Sequence, residues 1–121
     1  MDSLLSEVIL LRDHGRCRVC GREKRPGRGG AIYAAHILPK GQYPALRYEL
    51  LNVMAMCYYH HMEWWHKNPT EAWEWLAQEI GEGAVARLRL WGKTRKKAER
   101  GAERQYLIAE RDRLARVARD E

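Results

Sequence analysis

No stretch of this chain approaches the roughly 20 apolar residues needed to cross a bilayer. The first residues, Met1-Asp2-Ser3, are polar at once, with no basic segment ahead of an apolar run. The expectation is a cytoplasmic protein with no membrane partner. No internal repeat appears, which sets aside a repeat array. Cysteine is scarce: there are three, an odd number that would leave one over in a disulfide framework. In the cytoplasm thiols stay reduced and available to a metal. The chain is also short. At 121 residues one domain is expected, with a modest core that gains from a staple.

The composition is otherwise that of a folded protein. Hydrophobic residues make up 45%, which excludes a disordered chain. The net charge of +6 points to an anionic partner, and the spread of Arg and Lys through the chain favours nucleic acid over an acidic protein. The segments Arg22–Arg28 and Arg87–Lys97 are the candidate DNA contacts, with solvated surface charge as the alternative. Trp64, Trp65, Trp73, Trp75 and Trp91 are expected mostly in the core, where a small domain needs bulk.

Local patterning predicts an N-terminal helix to about Arg12, capped by Ser3, with Leu4, Leu5, Val8, Ile9 and Leu11 on one face and Gly15 at its end. The Gly- and Arg-rich stretch around Arg25-Pro26-Gly27-Arg28-Gly29-Gly30 reads as a loop. Residues 31–38 and 51–56 read as two short strands of an antiparallel hairpin with a long connection. A helix is predicted from about Tyr58 to Lys67. Asn68-Pro69-Thr70 breaks it and starts another, capped by Thr70 and closed by Gly81 and Gly83. Residues 84–91 give a further short helix. Residues 98–120 give a long charged one, with a seam of Ala102, Tyr106, Ala109, Arg113 and Val117 flanked by Leu107 and Leu114. The class is α+β.

The chemistry concentrates in one pattern. Cys17-Arg18-Val19-Cys20 and Cys57-Tyr58-Tyr59-His60 offer four ligands in two chelating bites, the set a tetrahedral structural zinc takes. Chance burial of three cysteines is the alternative. His61 can replace His60 in this set, and His14 is an outside candidate better read as a helix-end residue.

His36, Asn52 and His61 are the catalytic candidates. Hydrolysis of a phosphodiester needs a base to deprotonate water and a cation to offset charge on the phosphate. A neutral imidazole at a strand end suits the first task. A second histidine at the start of the facing helix can hold a divalent ion. The Asn52 amide can pin the loop after His36. Taken singly, His36 reads as a satisfied structural histidine and Asn52 as a turn residue; their joint spacing around the cysteines changes that.

The block His36-Ile37-Leu38-Pro39, Leu51-Asn52-Val53 and Cys57-Tyr58-Tyr59-His60-His61 resembles the HNH endonucleases of the ββα-metal (His-Me finger) superfamily. Residues 6–13 leading into Cys17 and Cys20, and Trp64 to Trp75, are more narrowly similar to phage HNH proteins of the NinG-like recombination type. The resemblance covers residues 3–76. It implies a zinc-stapled ββα-metal core, His36 as general base, Asn52 as the loop-positioning residue and His61 as a catalytic-metal ligand. It also implies structural zinc on Cys17, Cys20, Cys57 and His60, a catalytic Mg²⁺ or Mn²⁺, and, for a phage-encoded chain, the host bacterial cytoplasm. There is one departure. Many relatives carry a metal ligand just before the base, where this chain has Ala35. His66 is the substitute, but five residues after His61 it falls roughly 140° away around a regular helix. Either that helix is irregular, or water and substrate phosphate complete the ion's shell.

The resulting expectation is a zinc-stapled HNH nuclease domain over residues 1–80 and a helical extension over 81–121. It would cleave duplex or branched DNA, with a homodimer through the C-terminal helix as an option. A zinc-stabilised DNA-binding or assembly module without catalysis is the alternative that Ala35 keeps open. A zinc-mediated protein-interaction domain explains the cysteines but not His36 and Asn52.

Overall fold

The computed structural model describes all 121 residues. Four α-helices surround a two-stranded sheet: α1 (Asp2–Arg12), β1 (Ile32–His36), β2 (Val53–Cys57), α2 (Pro69–Ile80), α3 (Glu82–Thr94) and α4 (Arg100–Asp120). Short 3₁₀ turns at Pro44–Leu46 and Leu50–Asn52 punctuate the long connection between the strands, and a π-helical turn, Tyr59–Trp65, follows β2. The class is therefore α+β. No helix is long and apolar enough to cross a membrane.

The strands pair antiparallel, with Ile32 opposite Cys57 and His36 opposite Val53. All five residues of β2 are buried. Side chains alternate across a strand, so each face of this strand needs a cover. On one face Val53 and Ala55 pack with Leu5, Val8 and Ile9 of α1 and Leu107 of α4. On the other, Met54, Met56 and Ala35 pack with Trp64, Trp65, Leu76 of α2 and Leu88 of α3. Trp73, Trp75 and Trp91 lie against this second cluster, so all five tryptophans serve the core.

Two helix caps differ from the sequence expectation. α1 starts at Asp2 without a side-chain cap, so Ser3 lies inside the first turn. α2 starts with Pro69 at its first position, where the fixed φ of proline suits a helix start; Thr70 again lies inside. The face of α4 differs as well. Leu107 is fully buried against α1, whereas Tyr106 and Val117 are exposed. The expected seam is the wet side, because the leucines flanking it bury more apolar area than its small and polar members. That packing commits the Leu107 face of α4 to α1 of the same chain.

One buried ion pair ties α1 to the sheet. The Asp13 carboxylate accepts from Arg12 (Nε, 2.9 Å), Arg18 (Nη1, 3.2 Å) and the backbone N–H of Ala55 in β2 (2.9 Å). Arg12 also donates to the carbonyls of Leu50 (2.7 Å) and Val53 (2.6 Å), on either side of Asn52. From the opposite side, Gly92 of α3 lies so close to the loop after β1 that a Cβ there would meet the Tyr43 ring at 3.1 Å and Leu38 at 3.3 Å.

Candidate metal centre and histidine cavity

The first cluster forms where the chain leaves α1. His14 and Gly15 adopt left-handed φ of 59° and 67° and reverse the chain into a knuckle. Cys17 N–H donates to the Arg22 carbonyl (3.0 Å), and Gly21 N–H to that of Cys17 (2.8 Å). Arg18 N–H donates to Ala55 (2.9 Å), which docks the knuckle on β2. Cys57 ends β2 and His60 follows in the π-helical turn.

The ligand atoms of Cys17, Cys20, Cys57 and His60 all lie within 4.8 Å of one another. The Cys20 and Cys57 sulfurs are 3.8 Å apart, and His60 Nδ1 is 3.3 Å from Cys57 Sγ and 3.9 Å from Cys17 Sγ. A tetrahedral ion with bonds of about 2.3 Å to sulfur would set its sulfurs about 3.8 Å apart. The group can therefore hold a metal ion such as zinc. All three cysteines are free. Burial pushes the Cys17 thiol up, the cost a bound cation relieves, and burial together with the Arg22 charge pushes His60 down toward the neutral form that ligates metals.

The second cluster is separate from the first: none of Cys17, Cys20, Cys57 or His60 lines its cavity. His36, His61 and His66 line one cavity of about 390 Å³, together with Asp2, Lys40 and Trp65 among others. The π-helical turn brings the last two histidines together. Its hydrogen bonds run i→i+5, so residues five apart stack instead of diverging. The His61 and His66 rings are 5.2 Å apart. The irregular helix, one of the two options left by the sequence, is the one observed. It also turns the adjacent His60 and His61 to different sites, so His61 belongs to the cavity and not to the cysteine cluster.

His36 ends β1, and its Nε2 lies 2.8 Å from the Arg47 carbonyl. A carbonyl only accepts, so Nε2 carries the proton and a neutral ring keeps its lone pair on Nδ1. Burial lowers the His36 pKa and the Lys40 and Arg47 charges add to this, outweighing the Arg47 carbonyl, which works the other way. His61 is lowered by burial and by the charges of His66 and His36. At neutral pH His36 and His61 are thus available as uncharged donors of electron pairs.

Asn52 is fully buried. Its Oδ1 accepts from Leu38 N–H (2.8 Å), and its Nδ2 donates to the carbonyls of Leu38 (3.1 Å) and Leu46 (3.2 Å). Its own carbonyl accepts from Ile37 N–H (2.7 Å). The side chain is the bolt of the loop that follows His36. Ala35 points the other way, into the core beside Met54 and the tryptophans. The one carboxylate lining the cavity, Asp2, is engaged by Arg47 and by Tyr48 (3.0 Å), and the Arg47 bond, offset by burial and aided by Tyr48, holds its pKa at about 2.

Residues 6–13 entered the sequence reading only as part of a similar block, so the roles of Arg12 and Asp13 in anchoring the sheet, and of the Arg47 carbonyl in holding His36, were not legible: an acidic residue at a helix end and a loop arginine carry no motif. Tyr33 was equally silent; its ring lies 5.9 Å from that of His61. No family model, curated protein or solved structure matches this chain.

Proposed function

We propose that this chain is a metal-dependent endonuclease of the HNH type, hydrolysing DNA phosphodiester bonds. The observation that carries the reading is the convergence of His36, His61 and His66 on one cavity, with Asn52 bolting the loop behind them. The net charge of +6 suits a polyanionic substrate.

In this reading zinc on Cys17, Cys20, Cys57 and His60 is structural, since four protein ligands close its shell. His61 and His66 would hold the catalytic ion, and two imidazoles without a free carboxylate suit a transition ion better than Mg²⁺. Such an ion supplies charge neutralisation at the phosphate. The chain's own residues do the rest. His36 Nδ1 takes a proton from water, the resulting hydroxide attacks phosphorus, and the bond to the leaving sugar oxygen breaks, that oxygen taking a proton from solvent water while His36 returns its own to solvent. The Arg47 carbonyl holds the ring by its Nε2–H and stabilises it as it becomes an imidazolium. Lys40 adds positive charge at the cavity wall.

A second reading keeps the zinc-stapled fold as a DNA-binding or assembly module without catalysis. Ala35, buried in the core, favours it, because that position offers no ligand to the cavity. Incubation of plasmid and branched DNA with Mn²⁺, Mg²⁺ or EDTA separates the two. Metal-dependent nicked or linear product is expected. Tight DNA binding without cleavage under any of these conditions supports the module instead.

A further inference from the structure

Four of the large apolar side chains exposed on this protein cluster on one short stretch of fold. Tyr33 of β1 and Tyr58, Tyr59 and Met62 of the π-helical segment are each between 38% and 54% exposed. The core does not use these rings, although all five tryptophans are drawn into it. Tyr33 is the one whose position is informative. It lies on β1 three residues before His36 and so on the opposite face of the strand, and it reaches the cavity's edge through His61, whose ring is 5.9 Å from its own at a tilt of 43°. His61 lines the cavity, so a single imidazole separates the cavity from an exposed aromatic face.

The charges point the same way. Lys40 lines the cavity, and the only carboxylate there is already engaged by Arg47 and Tyr48. A phosphate is therefore favoured inside the cavity and a flat apolar group beside it. A nucleotide strand carries those two elements side by side. In a fully paired duplex the bases are stacked on each other and turned inward, so an aromatic ring beside the phosphate finds no base to meet. In an unpaired strand the base is free to stack on it.

We propose that Tyr33 is a stacking platform for an unpaired nucleobase, so that the preferred substrate is DNA with a single-stranded gap, flap or branch beside the phosphate in the cavity. This rests on the reading of the cavity as a site for DNA phosphodiesters.

The test is equilibrium binding by fluorescence anisotropy, in Mn²⁺ and in EDTA, to a labelled blunt duplex, the same duplex with a gap, and the single strand. Wild type is expected to bind the gapped and single-stranded DNA more tightly than the blunt duplex. Tyr33→Leu, which keeps an apolar side chain on an exposed strand position, should lose about 5- to 150-fold in affinity for unpaired DNA, and little for the duplex. Tyr33→Phe should behave as wild type, because stacking uses the ring and not the hydroxyl. Equal melting temperatures of the three proteins exclude misfolding as the cause. Tyr33→Leu binding all three DNAs as wild type does, or losing affinity for all three alike, would overturn the proposal. Cleavage of the same DNAs is scored separately. Discrimination for unpaired DNA without cleavage contradicts the nuclease reading and leaves the platform standing. Cleavage without discrimination does the reverse.

Discussion

His60 and His61 are neighbours in sequence and belong to two different sites. The site that takes His60 is closed: three sulfurs and one ring nitrogen lie within 4.8 Å of one another, leaving no position for a substrate. The site that takes His61 is open, a cavity of about 390 Å³ with three imidazoles on its wall. Structural metal sites are closed and catalytic ones keep a vacant position, so one turn of π-helix puts a closed ligand set on one side and an open cavity on the other. In the proposed reading a metal in the closed set staples the fold, and the cavity stands on a fold that does not depend on it.

Stripping the metals is the strongest way to break that contrast. A chelator strong enough to remove the ion from Cys17, Cys20, Cys57 and His60 should unfold the knuckle, because structural zinc in small domains contributes on the order of 10 kcal/mol. A weaker chelator that competes only for His61 and His66 should leave the far-ultraviolet circular dichroism unchanged. Equal loss of structure under both treatments would mean that the two sites are not separate.

A smaller effect is expected at Asp13. Asp13→Ala leaves Arg12 and Arg18 without their buried partner, which costs on the order of 3–5 kcal/mol. Urea denaturation should show the loss while elemental analysis still finds the knuckle's metal. The same group gives a pH dependence. Burial works to raise the Asp13 pKa, but the bond and charge of Arg12, the Ala55 N–H and Arg18 together bring it below the ordinary value. Its contribution is complete above about pH 3.9, the unfolded value, and is lost as pH falls through the lower folded value. In Asp13→Ala that part of the acid sensitivity should vanish.

Asn52→Ala is expected to be milder still in stability, at about 1–3 kcal/mol. It leaves the backbone N–H and carbonyl of Leu38 and the carbonyl of Leu46 without their side-chain partner. Because Leu38 lies two residues after His36, this variant should also slow cleavage at a temperature where it remains folded. Melting curves and single-turnover rates on one preparation check both effects.

Much of this layout was legible in the sequence because it rests on local spacing. The two chelating bites, the hairpin and the helices after Pro69 follow from short-range pattern. The rest depends on contacts that no local pattern encodes. The apolar period of Tyr58 to Lys67, short of two turns, fits several helix types; the five-residue spacing of His61 and His66 left an irregular helix open as one option, and only the π-helical turn brings the two rings together. The buried face of α4 was misassigned because Ala102, Tyr106, Ala109 and Val117 form an equally regular stripe; α1 decides which stripe is covered. Asp13 reads as a surface acid at a helix end until the fold brings Ala55 and Arg18 to it.

The central claim is that His36 does chemistry on a fold that does not need it. Single-turnover DNA cleavage, measured with Mn²⁺ on His36→Ala alongside its melting temperature and bound metal, tests that most directly. The account predicts a rate lower by about 10²- to 10⁴-fold, with melting temperature and knuckle metal as in wild type. A stable, metal-loaded His36→Ala that cuts at the wild-type rate would contradict it, as would a rate that falls only in proportion to unfolded protein.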